Sequence, residues 1–301
     1  MPDPFEQRQL RRAEVTMSRL GVGTSGLGNV FGQVDEEVAV RTVLAAAQAG
    51  VRYFDTAPYY GYGVAERRLG QALRGLPRDS YTVSTKVGRT LSEQDCSFDF
   101  SAGAVRKDIE LSLERLGLDR LDIVYVHDPD EHEQDIYDHA WPELRRLREE
   151  GLVSAIGVGM NQWQMPARFV RRLDVDVVLL AGRYTLLDAA GSVLLDLCGK
   201  AGVDVVLGGV FNSGLLIDPR PGAWFDYAPA SPLLLARAQR MREIAGESGI
   251  GLPAAALSFA VAHPAVTSVL VGVTGQNQLD ENIRSFRRNV PPELLRQLTT
   301  C

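Results

Sequence analysis

Cysteine is scarce in this sequence, and its positions exclude two common ways of cross-linking a fold. The chain of 301 residues has three cysteines, Cys96, Cys198 and Cys301, which lie far apart and form no Cys-x-x-Cys pair. An odd number of widely spaced cysteines does not build a disulfide framework, and the common structural zinc sites need closely paired cysteines. This pattern is typical of a reducing compartment, so we expect a cytoplasmic protein.

Excess positive charge and long apolar runs are also missing. Lys and Arg number 32 against 38 Asp and Glu, so the formal net charge is -6 and no surplus of cations is left to bind phosphates or an anionic membrane. The longest apolar stretch, Leu252 to Val261, is interrupted by Ser258 and is too short to cross a bilayer. Residues 1–15 are charged throughout, which predicts neither a signal peptide nor an anchor. We expect no nucleic-acid partner and no membrane partner.

The sequence is rich in short apolar runs that alternate with longer segments of helical period. This alternation is typical of repeated βα units around a parallel sheet. The predicted strands are Leu20–Gly23, Arg52–Asp55, Tyr81–Lys86, Ile123–His127, Ala155–Gly159, Val177–Ala181, Val205–Gly208 and Ser268–Val271. The predicted helices lie near Glu36–Ala49, Ala65–Leu73, Ala102–Leu116, Ile136–Glu150, Met165–Leu173, Ser192–Ala201, Leu233–Gly249, Pro253–Ala262 and Asn277–Phe286.

Eight βα units without an interruption predict an α/β protein with one domain over residues 1–301. No Ser-rich or Pro-rich linker divides the chain, and eight units favour closure into a (β/α)8 TIM barrel over an open doubly wound sheet. Periodicity alone does not prove closure. The irregular stretch from Phe211 to Pro232, which contains four prolines, is expected to fold over the barrel mouth.

A glycine-rich segment, Gly21-Val22-Gly23-Thr24-Ser25-Gly26, follows the first strand and matches the G-x-G-x-x-G pattern of dinucleotide-binding folds. That pattern requires a helix to open at its third glycine, whereas here the first helix begins only near Asp35. We therefore reject a Rossmann fold. A glycine-rich turn that lets the backbone approach a ligand is the better interpretation.

A second segment, His127 to His132, brings two imidazoles and three carboxylates into six residues and so resembles a metal cluster. Pro129 interrupts the segment, the two histidines are not placed on one face, and no distant His or Cys completes a set of four ligands. We expect no metal, and we interpret Asp128 to His132 as a solvated loop that begins with a functional histidine.

Polar residues at the carboxyl ends of predicted strands form a third and different group. Asp55, Lys86 and His127 end the second, third and fourth strands, and Tyr60 lies in the loop after Asp55. In a βα barrel these ends converge on one face, where polar residues are usually functional. A nearby ammonium lowers the pKa of a phenol by stabilising the phenolate. Lys86 could supply that charge to Tyr60, Asp55 could hold the ammonium, and a neutral His127 could bind a substrate oxygen.

The segment Asp55-Thr56-Ala57-Pro58-Tyr59-Tyr60-Gly61, followed by Glu66 and Leu69-Gly70, resembles the signature of the aldo-keto reductase family. The likeness runs over nearly the whole chain, including Ser84-Thr85-Lys86-Val87-Gly88 and Glu281-Asn282. The resemblance implies that Asp55, Tyr60, Lys86 and His127 are the catalytic tetrad of an NAD(P)-dependent oxidoreductase.

Within that family, the segments from Gly157 to Gln164, Ala181 to Asp188 and Gly209 to Leu216 are similar to bacterial D-threo-aldose 1-dehydrogenases, also called L-fucose dehydrogenases. This implies oxidation of the anomeric hydroxyl of an aldose to a lactone, with Tyr60 as general base. Two alternatives stay open: a pyridoxal 4-dehydrogenase or carbonyl reductase with the same tetrad, and a cofactor-binding regulatory subunit without turnover. Four aromatic residues are candidates for the walls of the substrate pocket: Trp163, Trp224, Phe225 and Tyr227.

The resemblance also implies which residues bind the cofactor. Asn161 is expected to hydrogen-bond the nicotinamide amide, the loop from Phe211 to Leu216 to hold the pyrophosphate, and Glu281 with Asn282 to face the adenine. The full expected set is Gly23, Thr24, Asp55, Asn161, Phe211, Asn212, Ser213, Gly214, Leu216, Gln278, Glu281 and Asn282.

The stretch from Gly272 to Asn282 contains no Lys or Arg. A 2′-phosphate there would lack charge-assisted hydrogen bonds worth about 1.5–3 kcal/mol each. The sequence therefore favours NAD over NADP, although Arg284 and Arg287 lie one and two turns further along.

Overall fold

The computed structural model of the protein describes residues 2–91, 96–226 and 228–301. Eight parallel strands form a closed barrel in which each strand pairs with its neighbours in sequence and the last pairs with the first. The predicted α/β class and the (β/α)8 barrel are confirmed. The barrel strands are β1 (Leu20–Gly23), β2 (Tyr53–Asp55), β3 (Thr82–Val87), β4 (Leu121–His127), β5 (Val153–Met160), β6 (Val177–Ala181), β7 (Asp204–Gly208) and β8 (Val266–Gly272).

Helices follow the strands and cover the outside of the barrel. Their ends agree with the sequence where a strong cap is present: the Asp35 side chain accepts from the N–H of Val38 at the start of the first helix, and Gly50 ends it in the left-handed conformation (φ 112°). The helices are α1 (Glu36–Ala49), α2 (Val64–Leu73), α3 (Ala102–Leu116), α4 (Trp141–Glu149), α5 (Gln164–Arg172), α6 (Ser192–Ala201), α7 (Pro232–Glu247), α8 (Leu252–Val261), α9 (Gln276–Phe286) and α10 (Pro292–Thr299).

The inside of the barrel is filled by every second residue of the strands, because successive strand side chains point to opposite faces. Tyr53 and Tyr125 point inward, whereas Phe54 packs outward against the helices. Gly21 and Gly157 leave room for the two inward phenol rings, since a Cβ on Gly21 would lie 2.7 Å from the Tyr53 ring and one on Gly157 would lie 3.0 Å from the Tyr125 ring. The inner cluster consists of Leu10, Val15, Met17, Tyr53, Ile123, Tyr125, Ala155, Val177, Leu179, Val206 and Leu270.

A hairpin before β1 closes the amino end of the barrel, where the strands begin. Gln7–Gln9 pairs antiparallel with Thr16–Ser18, and apolar side chains of the hairpin enter the inner cluster. The buried carboxylate of Asp204 accepts from the Arg11 N–H at 2.7 Å, from Arg11 Nε at 3.3 Å and from Thr267 Oγ1 at 2.6 Å. The sequence did not predict this hairpin, because its first strand is polar and fully exposed.

The segment before α4 departs from the continuous helix predicted from Ile136 to Glu150. One helical turn forms at Glu133–Asp135, a π-helical turn follows at Ile136–Ala140, and the regular helix begins only at Trp141. Pro142, at the start of α4, has no N–H to donate to the preceding turn, so the hydrogen-bond ladder is interrupted there.

The irregular stretch from Phe211 to Pro232 reaches the barrel mouth, as the sequence predicts. It contains a short hairpin of Trp224–Phe225 with Ala228–Pro229, and Asp226 at the turn accepts from the Arg183 guanidinium at 2.7 Å. Arg183 follows β6, so this ion pair ties the stretch to the carboxyl end of the barrel. Helix α10, which begins at the second of two consecutive prolines, was not predicted.

No single helix in the described ranges has both the length and the apolar character needed to cross a membrane. Among the described residues, one pair of helices, α7 and α8, passes that test when taken together, and the two helices are bent by 96° at the break between them.

Candidate active site

Asp55 and Lys86, at the carboxyl ends of β2 and β3, form a buried ion pair. Lys86 Nζ donates to Asp55 Oδ2 at 2.7 Å and to the carbonyl of Thr56 at 2.8 Å. Burial alone lowers the pKa of Lys86, but the Asp55 carboxylate and then Tyr60 raise it by more, so the pKa stands above its ordinary value. Lys86 is therefore an ammonium ion at neutral pH.

Tyr60 is placed against this ammonium by a tight loop between β2 and α2. The Tyr60 N–H donates to Ala57 O at 3.1 Å, and Gly61 takes a left-handed conformation (φ 63°) in which a Cβ would overlap the carbonyl oxygen of Gly28. The Tyr60 side chain hydrogen-bonds Lys86, whose Nζ lies 4.8 Å from the centroid of the phenol ring. The loop packing and the ion pair thus bring a phenol and an ammonium into contact.

His127, the last residue of β4, lies beside the ring of Tyr60. Its ring is perpendicular to that of Tyr60, with the two centroids 6.1 Å apart. Burial, followed by the charges of Lys86 and Arg89, lowers the pKa of His127 well below its usual value. The imidazole is therefore neutral at pH 7, so its 3.6 Å approach to Asp128 is not an ion pair.

Three further residues border this group, and the sequence analysis did not identify their place. The Arg89 guanidinium lies 3.6 Å from the centroid of the Tyr59 ring and donates to Asp128 Oδ2 at 3.0 Å. Asp128 has a left-handed backbone (φ 44°) and a side chain only 22% exposed, so it differs from the solvated loop residue that we predicted. One of the three could have been found from the sequence, because Tyr59 lies inside the signature segment, next to Tyr60.

The expected nicotinamide and pyrophosphate residues border a cleft at the carboxyl ends of β5, β6 and β7. Asn161, Asn212 and Ser213 line it together with Gly209 and Arg183. Asn212 and Ser213 both have left-handed backbones, with φ of 47° and 55°. Phe211 and Leu216 are buried beneath the loop, and Gly214 is half-buried within it. The structure therefore gathers Asn161, Asn212 and Ser213 around one opening.

The chemistry of this cleft fits a nicotinamide cofactor. The side-chain oxygen of Asn212 is buried and has no hydrogen-bond partner among the described residues, although the opposite side of the amide donates to Gly182 O at 3.4 Å. A buried acceptor without a donor is unfavourable unless a ligand supplies one. Asn161 and Ser213 add neutral donors and acceptors to the same opening.

The remaining expected cofactor residues lie at the ends of β1 and β8. Gly23 ends β1 with only one atom within 4 Å of an added Cβ, at 3.9 Å, whereas a Cβ on Gly21 or Gly26 would press on protein atoms. Of these three glycines, Gly23 alone has open space beside it that a ligand could occupy. Thr24 is buried and its hydroxyl donates to Asp55 O at 3.0 Å. Near the start of α9, Gln278 and Glu281 are exposed and Asn282 is buried.

Among the described candidate pocket aromatics, Trp163, Trp224 and Phe225 make no ring contact with Tyr60 or His127. Trp163 and Phe225 pack against the outer core, Trp224 is 53% exposed, and Tyr227 lies outside the described residues. The aromatic rings next to His127 are instead those of Tyr59 and Tyr60.

Within residues 2–91, 96–226 and 228–301, no group of three or more His, Cys, Asp and Glu side chains could hold a metal ion. His132 packs against Phe100, with ring centroids 5.3 Å apart, and its Nδ1 lies 3.0 Å from Asp135. A larger cleft of about 250 Å³ lies at the amino end, between α2 and α3, and contains none of the four central residues.

Comparison with known proteins gives a consistent answer. The sequence profile of the aldo/keto reductase family matches residues 19–301. The chain is 37% identical to a D-threo-aldose 1-dehydrogenase of a Pseudomonas species, over 95% of this chain and 94% of the relative. It is 35% identical to a pyridoxal 4-dehydrogenase of Microbacterium luteolum, over 96% and 95%. It is 36% identical to an L-galactose dehydrogenase of Arabidopsis thaliana, over 93% and 87%.

Proposed function

Because the chain belongs to the aldo/keto reductase family of nicotinamide-dependent oxidoreductases, we propose that it uses NAD to oxidise the anomeric hydroxyl of an aldose to a lactone. The protein is an oxidoreductase that acts on CH–OH groups. The observation that carries the proposed chemistry is the contact of the Lys86 ammonium with the Tyr60 phenol beside a neutral imidazole.

Each of the four central residues has one task in this proposal. Tyr60, as phenolate, takes the proton of the C1 hydroxyl, and Lys86 stabilises that phenolate. Asp55 holds the ammonium at 2.7 Å, and neutral His127 donates a hydrogen bond to the substrate oxygen. The acid–base group and the orienting groups thus come from three strand ends and one loop.

The cofactor is held by residues that already surround one opening. Asn161 binds the carboxamide, Asn212 and Ser213 hold the pyrophosphate, and Glu281 with Asn282 faces the adenine. A bound nicotinamide supplies the acceptor for the hydride that leaves C1. The buried Asn212 oxygen without a partner supports a ligand in this opening, since a ribose hydroxyl or the carboxamide N–H of the cofactor could donate to it, whereas the pyrophosphate only accepts.

The surroundings of α9 support NAD over NADP. The side chains at its first turn are neutral, and Gln278 accepts from the Thr274 N–H at 2.8 Å. Arg284 lies in the last turn, about 10 Å further along a helix that rises about 1.5 Å per residue. Arg287 lies beyond it, over the ring of Phe5 at 5.1 Å. Neither arginine is at the helix start, so a 2′-phosphate would lack its usual cation.

An aldose is the proposed substrate because the mouth beside His127 offers both kinds of contact that a sugar uses. The Arg89 and Asp128 pair can exchange hydrogen bonds with ring hydroxyls, and the face of the Tyr59 ring that Arg89 leaves uncovered can contact the apolar side of a sugar. Similarity to two sugar dehydrogenases supports the same class.

A pyridoxal 4-dehydrogenase is the second candidate, favoured by the 35% identity to the Microbacterium enzyme. The same four residues would serve, because the cyclic hemiacetal form of pyridoxal has a hydroxyl whose proton Tyr60 can take while the hydride leaves the same carbon. The two candidates differ only in what the mouth of the site accepts.

The test is a substrate and cofactor panel on the purified protein. L-Fucose, D-arabinose, L-galactose, pyridoxal and simple aldehydes are each assayed with NAD and with NADP, in the direction appropriate to each. We expect the highest kcat/KM for an aldose with NAD. A preference for pyridoxal or for a simple aldehyde would replace the aldose proposal, and cofactor binding without any turnover would indicate a regulatory subunit.

We also propose that residues 1–301 form one barrel domain. The Leu20 N–H donates to Pro4 O at 2.9 Å, and Arg237 Nε donates to Cys301 O at 2.8 Å, so both terminal regions contact the rest of the fold. A single cooperative thermal transition is expected.

A further inference from the structure

A layer of hydroxyl side chains lies inside the barrel, directly beneath the proposed site. Tyr53, Ser84 and Tyr125 each precede a strand-end residue of the site by two positions, on β2, β3 and β4. Because side chains alternate along a strand, residues two apart point into the barrel together. Nothing in the proposed mechanism so far uses these three hydroxyls.

The hydroxyls form a continuous chain of hydrogen bonds that ends on Asp55. Ser84 Oγ lies 2.7 Å from Asp55 Oδ1, the Tyr53 hydroxyl lies 3.0 Å from Ser84 Oγ, and the Tyr125 hydroxyl lies 3.1 Å from that of Tyr53. Tyr53, Ser84 and Tyr125 are all fully buried. The other oxygen of the carboxylate, Oδ2, binds Lys86.

The carboxylate fixes the direction in which every one of these hydrogen bonds is donated. An ionised carboxylate can only accept, so Ser84 gives its single proton to Asp55. Tyr53 must then donate to Ser84, and Tyr125 to Tyr53. Burial raises the pKa of both tyrosines above the ordinary value of 10.0, so both stay protonated and remain donors.

The surroundings indicate that the hydroxyls are not needed to fill space. The rest of the inner cluster is apolar, and phenylalanine would occupy the same volume as either tyrosine. Two glycines, Gly21 and Gly157, accommodate the rings. Burying a hydroxyl in an apolar interior is unfavourable unless a hydrogen bond compensates for it, and among the described residues each hydroxyl is compensated by the chain that leads to Asp55.

We infer that Ser84, Tyr53 and Tyr125 are positioning residues for proton transfer, which act on Tyr60 through Asp55 and Lys86. This inference rests on the proposed role of Tyr60 as the base. By holding Oδ1, the chain keeps Oδ2 aimed at Lys86. By sharing the negative charge of the carboxylate, it leaves more of the ammonium charge to stabilise the Tyr60 phenolate.

The first test is the pH profile of Ser84→Ala. Without its donor, Asp55 interacts more strongly with Lys86, and the phenolate loses part of its stabilisation. We expect the rising limb of kcat/KM for oxidation to move upward by about half to one pH unit, which is about a three- to tenfold loss of rate below the midpoint. The plateau at high pH should be retained. Ser84→Cys, a weaker donor of similar size, should show an intermediate shift.

The second test uses distance along the chain. Tyr53→Phe and Tyr125→Phe keep the ring volume and remove one hydroxyl each. We expect shifts in the same direction that decrease in the order Ser84, Tyr53, Tyr125, because each hydroxyl lies one hydrogen bond further from the carboxylate. The matched control is Ser112→Ala, since the Ser112 hydroxyl is buried in α3 and has no hydrogen-bond partner among the described residues. It should leave the profile unchanged.

A third measurement avoids substrate and cofactor. Ultraviolet titration of tyrosinate in the cofactor-free protein, taken as the difference between each variant and the same variant with Tyr60→Phe, isolates Tyr60 among the nine tyrosines. The midpoint should rise in Ser84→Ala in parallel with the rate profile.

The outcomes distinguish the positioning role of the hydroxyls from the proposed role of Tyr60 as the base. If Tyr60→Phe abolishes turnover while the Ser84 and Tyr53 variants change neither profile nor titration, the positioning role is wrong and the proposed function stands. A lower plateau without any shift of the midpoint would mean a purely structural role and would also overturn the inference. If Tyr60→Phe keeps full turnover, both proposals fail. Should Ser84→Ala not fold, the two Tyr→Phe variants decide the question.

Discussion

The two ends of the barrel each bury an aspartate, and the two carboxylates have different partners. Asp204, at the amino end, binds Arg11, whose side chain is 39% exposed. Asp55, at the carboxyl end, binds Lys86, whose side chain is 3% exposed. Charges keep more of their interaction when water is excluded, but an ion excluded from water also depends entirely on its partner. The Asp204 pair thus stabilises the closed amino end of the barrel, whereas the Asp55 pair keeps two buried charges next to the proposed site of chemistry.

The strongest way to break this comparison is to remove the phenol at the carboxyl end. Tyr60→Phe should lower kcat about a hundredfold to ten-thousandfold, the usual contribution of a positioned acid–base group, and should leave NAD binding largely intact. Steady-state kinetics and fluorescence titration with NAD measure the two effects. The matched control is Tyr62→Phe in the same loop, whose side chain is exposed and whose loss should not change kcat. Equal activity of both variants would remove Tyr60 from the mechanism.

Removing the Lys86 ammonium tests how strongly the buried Asp55 carboxylate depends on its counter-ion. Lys86→Met leaves Asp55 as a buried charge without its counter-ion, which should lower the free energy of unfolding by about 3–5 kcal/mol and also abolish most turnover. Chemical denaturation gives the free energy. Lys107→Met, at an exposed position on α3, is the control and should change neither quantity. A stable Lys86→Met protein would show that the pair is not held dry.

The same operation at the amino end should affect stability alone. Asp204→Asn weakens hydrogen bonds from Arg11 and Thr267, so the free energy of unfolding should fall by about 1–3 kcal/mol while kcat and KM stay unchanged. Asp79→Asn is the control, because the Asp79 side chain is 90% exposed and its pair with Arg120 should contribute little. A changed kcat in Asp204→Asn would mean that the two ends communicate.

A third carboxylate, that of Asp108 on α3, lies outside the barrel wall and should make the stability of the fold depend on pH. Asp108 accepts from the Gly88 N–H at 2.9 Å, and burial raises its pKa to about 6 from an ordinary 3.8. Between these two values the unfolded chain has lost this proton while the folded chain keeps it. Rising pH therefore destabilises the fold through this group from about pH 4 to pH 6, and below both values the effect is absent.

Asp108→Asn should remove that loss. Relative to the parent protein, the variant should gain about 1–2 kcal/mol of unfolding free energy between pH 4 and pH 7, after allowance for the partial exposure of the side chain. Denaturation at the two pH values measures the difference, and Glu110→Gln, exposed on the same helix, is the control. An equal response of Asp108→Asn and the parent protein to pH would contradict the raised pKa.

Much of the fold could be predicted because local signals and tertiary packing agree. The helix Ala102–Leu116 was placed to the residue, since Ser101 accepts from the Ala104 N–H at one end and Gly117 is left-handed at the other. The N-terminal hairpin was missed for the opposite reason. Its stability comes from contacts with residues almost two hundred positions away, such as Asp204, and no local pattern reports those.

The four central residues could be proposed from strand ends, but their environment could not. The Arg89 pair with Asp128 depends on the turn after β4, where Asp128 adopts a left-handed conformation that the sequence does not announce. The sequence contains one weak indication of the hydroxyl layer, since Ser84 lies two residues before Lys86. That spacing predicts only a shared face, and the hydrogen bond itself depends on how three strands are staggered.

The contact between Gly61 and the carbonyl of Gly28 limits how this enzyme could be re-engineered. A library that randomises the loop around Tyr60 to broaden substrate range should return only glycine at position 61, since every other side chain would push the loop off the β1 turn. Neighbouring Tyr62, exposed at 53%, has space for other side chains, although its left-handed backbone (φ 54°) disfavours β-branched residues. Diversity for directed evolution is therefore better placed at position 62 than at the residue that precedes it.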